Sequence, residues 1–249
     1  MAGHSKWKQI KRAKGITDQK RGALFTKLGR EITIAAKAGG SGDPDTNFRL
    51  RMAIQKAKDG NMPLDNIQRA IAKATGQGDQ QSLVEIIYEG YTPGGAAVYV
   101  QVFTDNKNRT ASEVRHVFTH HGGVLGESGS VAWQFSNMGV LSVAAPKGKA
   151  DDITLAAIDA GAEDVKGEGE SLEVYTAPDK LDVVRKSLEA TGAKITGAEL
   201  QMVPKTTMIF DRSNAGQALR LLDELEELDD VQKVFTNADF PEEVLAAAG

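Results

Sequence analysis

The hydrophobic pattern of this chain changes near residue 80 from helical spacing alone to strands mixed with helices, and nothing else in the sequence constrains the fold as strongly. Before that point apolar residues recur at helical spacing. Leu24, Leu28, Ile32 and Ala35 form one stripe, Leu50, Ala53, Ile54 and Ala57 a second, and Leu64, Ile67, Ala70, Ile71 and Ala74 a third. The first helix is predicted over 17–38 and is stopped by Gly39-Gly40; the second starts near Thr46 and closes at Gly60. Pro63 is suited to the first helical position of the third, which ends at Gly76. Three amphipathic helices with short connections predict a small bundle. Residues 1–15 hold too few apolar side chains to pack, so they are predicted to form an arm that orders on binding, and the polar stretch 77–81 reads as a linker.

Beyond residue 80 the alternation is strand-like. Strands are predicted over 84–88 and 96–103, flanking the turn Tyr91-Thr-Pro-Gly-Gly. Asn108 is placed to cap a helix carrying Val114, Val117, Phe118 and His121, which closes at Gly122-Gly123, and a further strand is expected around 129–135. Residues 139–203 then spell strand, helix, strand, strand, helix, strand, the ferredoxin-like order. A strand over 207–210, a helix over 213–228 and a strand over 231–235 remain, and they have no sheet of their own. The economical organisation is an α+β protein in three parts. Residues 1–79 are a basic arm plus a helical bundle, 80–135 with 205–249 are a discontinuous α/β domain, and 136–204 are a ferredoxin-like domain inserted in it.

Charge is divided along the same line. Residues 1–79 hold 16 Lys+Arg against 7 Asp+Glu, a net of +9, while residues 80–249 hold 14 against 27, a net of −13. Within 1–30 there are nine cations and one acid, Asp18. Such asymmetry points to one end that meets a polyanion and a body that stays soluble and repels it. The chain has no cysteine, which excludes a disulfide framework, a thiol nucleophile and a cysteine zinc site. No apolar run approaches the roughly 18–20 residues of a membrane span, and the basic N-terminus lacks the apolar stretch of a secretory signal. A cytoplasmic protein with no membrane partner is the expectation; nothing in the sequence sets its oligomeric state.

Enzyme signatures are nearly absent. There is no phosphate-cradling G-x-x-x-x-G-K-[ST] run, and Gly126-Glu-Ser-Gly-Ser has its second glycine one residue too early for a nucleophile elbow, so a tightly turned loop is expected there. His116 and His120 are four apart and share a helix face, with Glu113 a turn earlier. The H-E-x-x-H pattern is missing and His121 is expected to point elsewhere, so no metal and no cofactor are predicted. The acids of 223–230 read as the solvated face of a helix whose buried stripe is Leu221, Leu222, Leu225 and Leu228. One constellation carries chemistry. Lys6, Lys8, Lys11, Arg12 and Lys14 surround Trp7, offering cations for phosphates and an indole for an unpaired base. Lys20, Arg21, Lys27 and Arg30 would continue that track along the first helix.

The opening Met-Ala-Gly-His-Ser-Lys-Trp resembles the YebC/PmpR family, which includes the mitochondrial translational activator of cytochrome c oxidase subunit I. The resemblance continues in Phe25-Thr-Lys-Leu-Gly-Arg-Glu-Ile, Asn61-Met-Pro, Tyr88-Glu-Gly-Tyr, Asn108-Arg-Thr-Ala-Ser-Glu-Val-Arg, Gly129-Ser-Val-Ala-Trp and Leu228-Asp-Asp-Val-Gln-Lys-Val-Phe-Thr-Asn. It implies three domains, one inserted in another. It also implies a non-enzymatic, nucleic-acid-binding regulator of gene expression, a DNA-binding transcriptional regulator by family label. The alternative it implies is a ribosome-associated translation factor that binds ribosomal RNA. No helix-turn-helix is legible in the bundle, so base-specific readout lacks an evident recognition helix. A reading from another class, an enzyme working in a groove around Arg109, Arg115 and His116, would require a bound small molecule or metal.

Overall fold

Both hydrophobic periods are realised in the structure, a computed structural model that describes residues 18–76, 83–210 and 212–247. The helical part consists of α1 (Asp18–Ala38), α2 (Phe48–Asp59) and α3 (Leu64–Ala74). There follow β1 (Val84–Tyr91), β2 (Ala97–Thr104), α4 (Lys107–His120) and β3 (Val124–Leu125). The next segment is β4 (Phe135–Ala144), α5 (Ala150–Asp159), β5 (Asp164–Glu168), β6 (Ser171–Thr176), α6 (Leu181–Ala190) and β7 (Lys194–Pro204). The chain closes with β8 (Met208–Ile209), α7 (Arg212–Glu227), β9 (Val231–Thr236), β10 (Ala238–Asp239) and α8 (Glu242–Ala247). Residues 135–205 group as one compact unit, and the described residues before and after them, α1–α3 included, group as a second.

The bundle forms because each helix has one apolar stripe and nothing else to bury it against. Leu28, Ile32, Ala35 and Ala36 of α1 pack with Leu50, Ala53 and Ala57 of α2 and Ile67 and Ala70 of α3. Asn47 fastens the second helix twice. Its Oδ1 accepts the Leu50 N–H at 3.1 Å, capping α2, and its Nδ2 donates to the Ala35 carbonyl at 2.9 Å. Two boundary details depart from the sequence reading. The residue that turns left-handed after α2 is Asn61 (φ 57°), not Gly60 (φ −78°), and the Met62 N–H bonds back to the Ala57 carbonyl at 2.9 Å. Asparagine tolerates that backbone almost as glycine does, which gives the Asn61-Met-Pro segment its role as a helix stop. Pro63 is extended (ψ 141°) and stands just before α3 rather than inside it.

In the same unit, β3, β1, β2 and β9 form a sheet in that order with every neighbour antiparallel. Val98, Val100 and Val102 alternate along β2 toward a core shared with Val114, Val117 and Phe118 of α4 and Leu221, Leu222 and Leu225 of α7. The β8 and β10 strands add a short parallel pair. The cap of α4 is Asn106, whose side chain accepts the Arg109 N–H at 3.1 Å; Asn108, the expected cap, is already helical. The strand expected over 129–135 is corrected too. Residues 126–131 turn as a loop, 132–134 make one 3-10 turn, and strand structure begins at Phe135. The N–H groups of Gly129, Val131 and Ala132 are spent on a carboxylate and not on a strand ladder, which is why the alternating pattern there misleads.

The 135–205 unit is a four-stranded antiparallel sheet ordered β5-β6-β4-β7, with α5 and α6 between its strands. That βαββαβ path and strand order are the ferredoxin-like arrangement. Its core is built by Leu141 and Val143 of β4, Ile153 and Ala157 of α5, Leu172 and Val174 of β6, and Leu181, Val184 and Leu188 of α6.

Candidate nucleic-acid interface

Of the residues expected to meet phosphates, Lys6, Trp7, Lys8, Lys11, Arg12 and Lys14 lie outside the described residues. Lys20, Arg21, Lys27 and Arg30 all lie on α1, and the structure describes the side chains of the last three. Arg21 is exposed. Lys27 and Arg30, one turn apart, are turned toward the chain itself. The Lys27 ammonium donates to the Glu226 carbonyl at 2.6 Å, and the Arg30 guanidinium donates to the Asp229 carbonyl. Carbonyls at the end of α7 have no helical partner, and they carry the negative end of its dipole, so two cations from α1 satisfy both needs.

Arg30 also pairs with Asp230 Oδ1 at 3.0 Å, and this aspartate draws partners from α1, β2 and α4. Only 2% of it is exposed. Its Oδ2 accepts hydrogen bonds from Thr104 Oγ1 at 3.0 Å, Thr110 Oγ1 at 2.6 Å and Arg109 Nη2 at 2.6 Å. Burial pushes this carboxyl up, but the hydrogen bonds from Thr110, Arg109 and Thr104 and the charge of Arg30 outweigh it, and the net shift is downward. The sequence pattern puts Asp230 on the solvated face of an acidic helix, and the structure corrects this. It lies past the end of α7, immediately before β9, where the chain turns inward. The signal for that is the change of period at Val231, which separates Asp230 from the helical acids before it.

A second buried carboxylate shapes the 126–134 loop. Glu89 of β1 is 5% exposed and accepts the backbone N–H groups of Gly129, Val131 and Ala132, each at 2.7 Å. Burial again pushes the group up and the three backbone hydrogen bonds outweigh it, leaving the pKa below the usual carboxylate range. Ser130 is held from both sides, its carbonyl accepting from Tyr91 Oη and from the Trp133 indole N–H, both at 3.0 Å. The loop therefore holds Trp133, 67% exposed, in a set position. Sequence reasoning singles out neither Glu89 nor this loop's function as a carboxylate cradle.

The histidines are arranged differently from expectation. His116 and His120 do stack, centroids 5.8 Å apart and planes 19° apart. His121 does not point away: its ring stands edge-on to His120 at 4.9 Å, and its Nε2 lies 2.5 Å from Glu224 Oε2 on α7. Arg109, offered as one wall of a catalytic groove, spends its guanidinium on Asp230 and on Asp105 at 3.2 Å. Among the described residues no helix is long and apolar enough to cross a membrane.

Profiles of the TACO1/YebC N-terminal domain and of the TACO1/YebC second and third domains match residues 5–77 and 83–238. The chain belongs to the TACO1/YebC family. Relatives from Moorella thermoacetica (54% identical over 98% of each chain) and Roseiflexus castenholzii (52% identical over 98% of this chain and 97% of that one) both bear the name "Probable transcriptional regulatory protein". The fold is similar to the crystal structure of a conserved hypothetical protein from Aquifex aeolicus, with a TM-score of 0.83 and 47% identity over 92% of this chain and 94% of that one. Mapped onto the structure, five of the seven segments that carry the resemblance contribute to the two carboxylates. Phe25–Ile32 supplies Arg30, 108–115 supplies Arg109 and Thr110, and 228–237 supplies Asp230 itself. Tyr88-Glu-Gly-Tyr supplies Glu89 and Gly129-Ser-Val-Ala-Trp supplies the N–H groups it accepts.

Proposed function

We propose that this TACO1/YebC protein is a cytoplasmic, nucleic-acid-binding regulator of gene expression that acts on DNA as a transcriptional regulator and catalyses no reaction. The observation that carries the reading is the concentration of nine cations against one acid in residues 1–30, set beside a net charge of −13 over residues 80–249. Cations gathered at one end neutralise phosphates and release counterions there, while the acidic remainder keeps the duplex from wrapping the body. Full-length relatives named as transcriptional regulatory proteins support the same reading.

Within this proposal Lys6, Lys8, Lys11, Arg12, Lys14, Lys20 and Arg21 are the phosphate contacts, with Trp7 beside them. Lys27 and Arg30 serve it indirectly, since their contacts to Glu226, Asp229 and Asp230 orient the helix from which the basic arm departs. The test is to crosslink the protein in cells and sequence the recovered nucleic acid. Enrichment of promoter DNA is the expected result. Recovery of ribosomal RNA in its place would overturn the DNA reading and favour a translation factor bound to the ribosome. Recovery of neither would overturn both.

A further inference from the structure

We propose that His120, His121 and Glu224 form a site for one divalent transition-metal ion of the zinc class. The chain has only four histidines in 249 residues, and three of them, His116, His120 and His121, gather at the C-terminal end of α4. One donor atom from each of His120, His121 and Glu224 lies within 4.8 Å of the other two. Two imidazoles and a carboxylate are a donor set that suits zinc, cobalt and nickel better than the hard cations, which prefer all-oxygen shells.

The fold brings these donors together by three independent means. The turn that closes α4 places His121 at the cap, where its side chain is 11% exposed and lodged against α7. Packing of α4 on α7 sets Glu224 Oε2 at 2.5 Å from His121 Nε2. His120 completes the group from the last helical position, where its exposed ring stacks on His116. The site lies at the negative end of the α4 dipole, which favours a cation; on α7, Glu227 and Arg220 share the helix face of Glu224 and offset one another in charge.

Tetrahedral ligands about 2.0–2.1 Å from a zinc ion stand about 3.3 Å apart. The His121–Glu224 pair therefore has to open slightly, and His120 has to swing inward. His120 is exposed and Glu224 is 40% exposed, so both can move without disturbing the core. Three protein ligands leave the fourth position to water or to a group from a partner.

The test uses the full chain after chelator treatment, titrated with zinc chloride by calorimetry and with cobalt(II) by absorption. Binding of one equivalent is expected, with the visible bands of a four-coordinate cobalt site. His120→Ala and Glu224→Gln, both at exposed or half-exposed side chains, are each expected to weaken binding ten-fold or more while leaving the metal-free melting point unchanged. His4→Ala should leave affinity as it was. The proposal is overturned by an absence of saturable binding, by binding that survives both substitutions, or by binding that disappears with His4→Ala.

Discussion

Replacing Asp230 by asparagine removes one charge and almost no volume, so it isolates what the buried carboxylate contributes. An amide oxygen in the Oδ2 position can still accept from Thr104, Thr110 and Arg109, but as a neutral acceptor. Hydrogen bonds to a charged group contribute about 1.5–3 kcal/mol and neutral ones about 0.5–1.5 kcal/mol, so the two threonine hydrogen bonds together weaken by about 2–3 kcal/mol. The arginines are set aside in that figure because their guanidiniums reach solvent and can regain water. The amide's NH2 would stand where Oδ1 now faces Arg30, donor against donor, and that ion pair is broken. For a chain of this size the melting point should fall by about 4–12 °C, at about 2–4 °C per kcal/mol.

The pH dependence makes the test specific. Asp230 has a folded-state pKa below its unfolded value, so its contribution is complete above the unfolded value and is lost as pH falls through the folded one. Paired urea titrations of the wild type and Asp230→Asn should show a constant gap from about pH 6 to about pH 8. That gap should begin to narrow below about pH 4, where the unfolded chain's carboxyl takes up its proton, and close as pH falls through the lower folded-state value. Glu89 titrates in the same direction but is present in both proteins and cancels. A variant as stable as the wild type at neutral pH would refute the reasoning, as would a gap of undiminished size at about pH 3.

Glu89→Gln should destabilise the fold by a similar amount, about 2–3 kcal/mol, because its NH2 would confront one of three backbone donors; a shift of the Trp133 emission in a Trp7→Phe background would check that the 126–134 loop is what moves. Deleting residues 1–15 should leave the melting point unchanged and flatten the salt dependence of duplex binding by about 0.9 log units for each phosphate-binding cation removed, up to about five, which a salt titration measures. Trp7→Ala should cost about 1–3 kcal/mol, roughly ten-fold to a hundred-fold, on single-stranded RNA and little on duplex DNA, as filter binding to the two ligands at matched charge would reveal.

The fold is legible in the sequence where one period runs long enough to declare a face. The stripes of α1, α2 and α3 and the strand–helix order of 139–203 are of that kind, and the structure places them within a few residues of expectation. What escapes are features in which a polar side chain competes with the backbone pattern. Residues 129–134 alternate like a strand, yet the N–H groups of Gly129, Val131 and Ala132 turn to Glu89. Asn106 and Asn108 both suit a helix cap, and only the actual turn after β2 selects the first. Asp230 reads as one more acid in a run of acids, because burial is decided by where the chain enters the sheet and not by its neighbours in sequence. Helical geometry assigns His121 away from His120, but His121 sits at the cap, where helical geometry ends.

These two carboxylates tie together segments far apart in the chain. An isolated buried charge would be costly, and each of these is offset only by donors from several distant segments at once. Asp230 needs Thr104 from β2, Thr110 and Arg109 from α4, and Arg30 from α1. Removing any one donor leaves the others facing a charge that is less well paired. Such a group acts as a register pin: it is satisfied in one packing of α1 against α4, α7 and β9, and penalised in any other. That yields an ordering of effects that can be measured. Asp230→Asn should weaken nucleic-acid binding less than deletion of the arm does, and it should leave the salt slope intact, because the phosphate-contacting cations are all still present. A slope reduced by about 0.9 in Arg30→Gln, with Asp230 intact, would place Arg30 itself on a phosphate and overturn its assignment as a positioning residue.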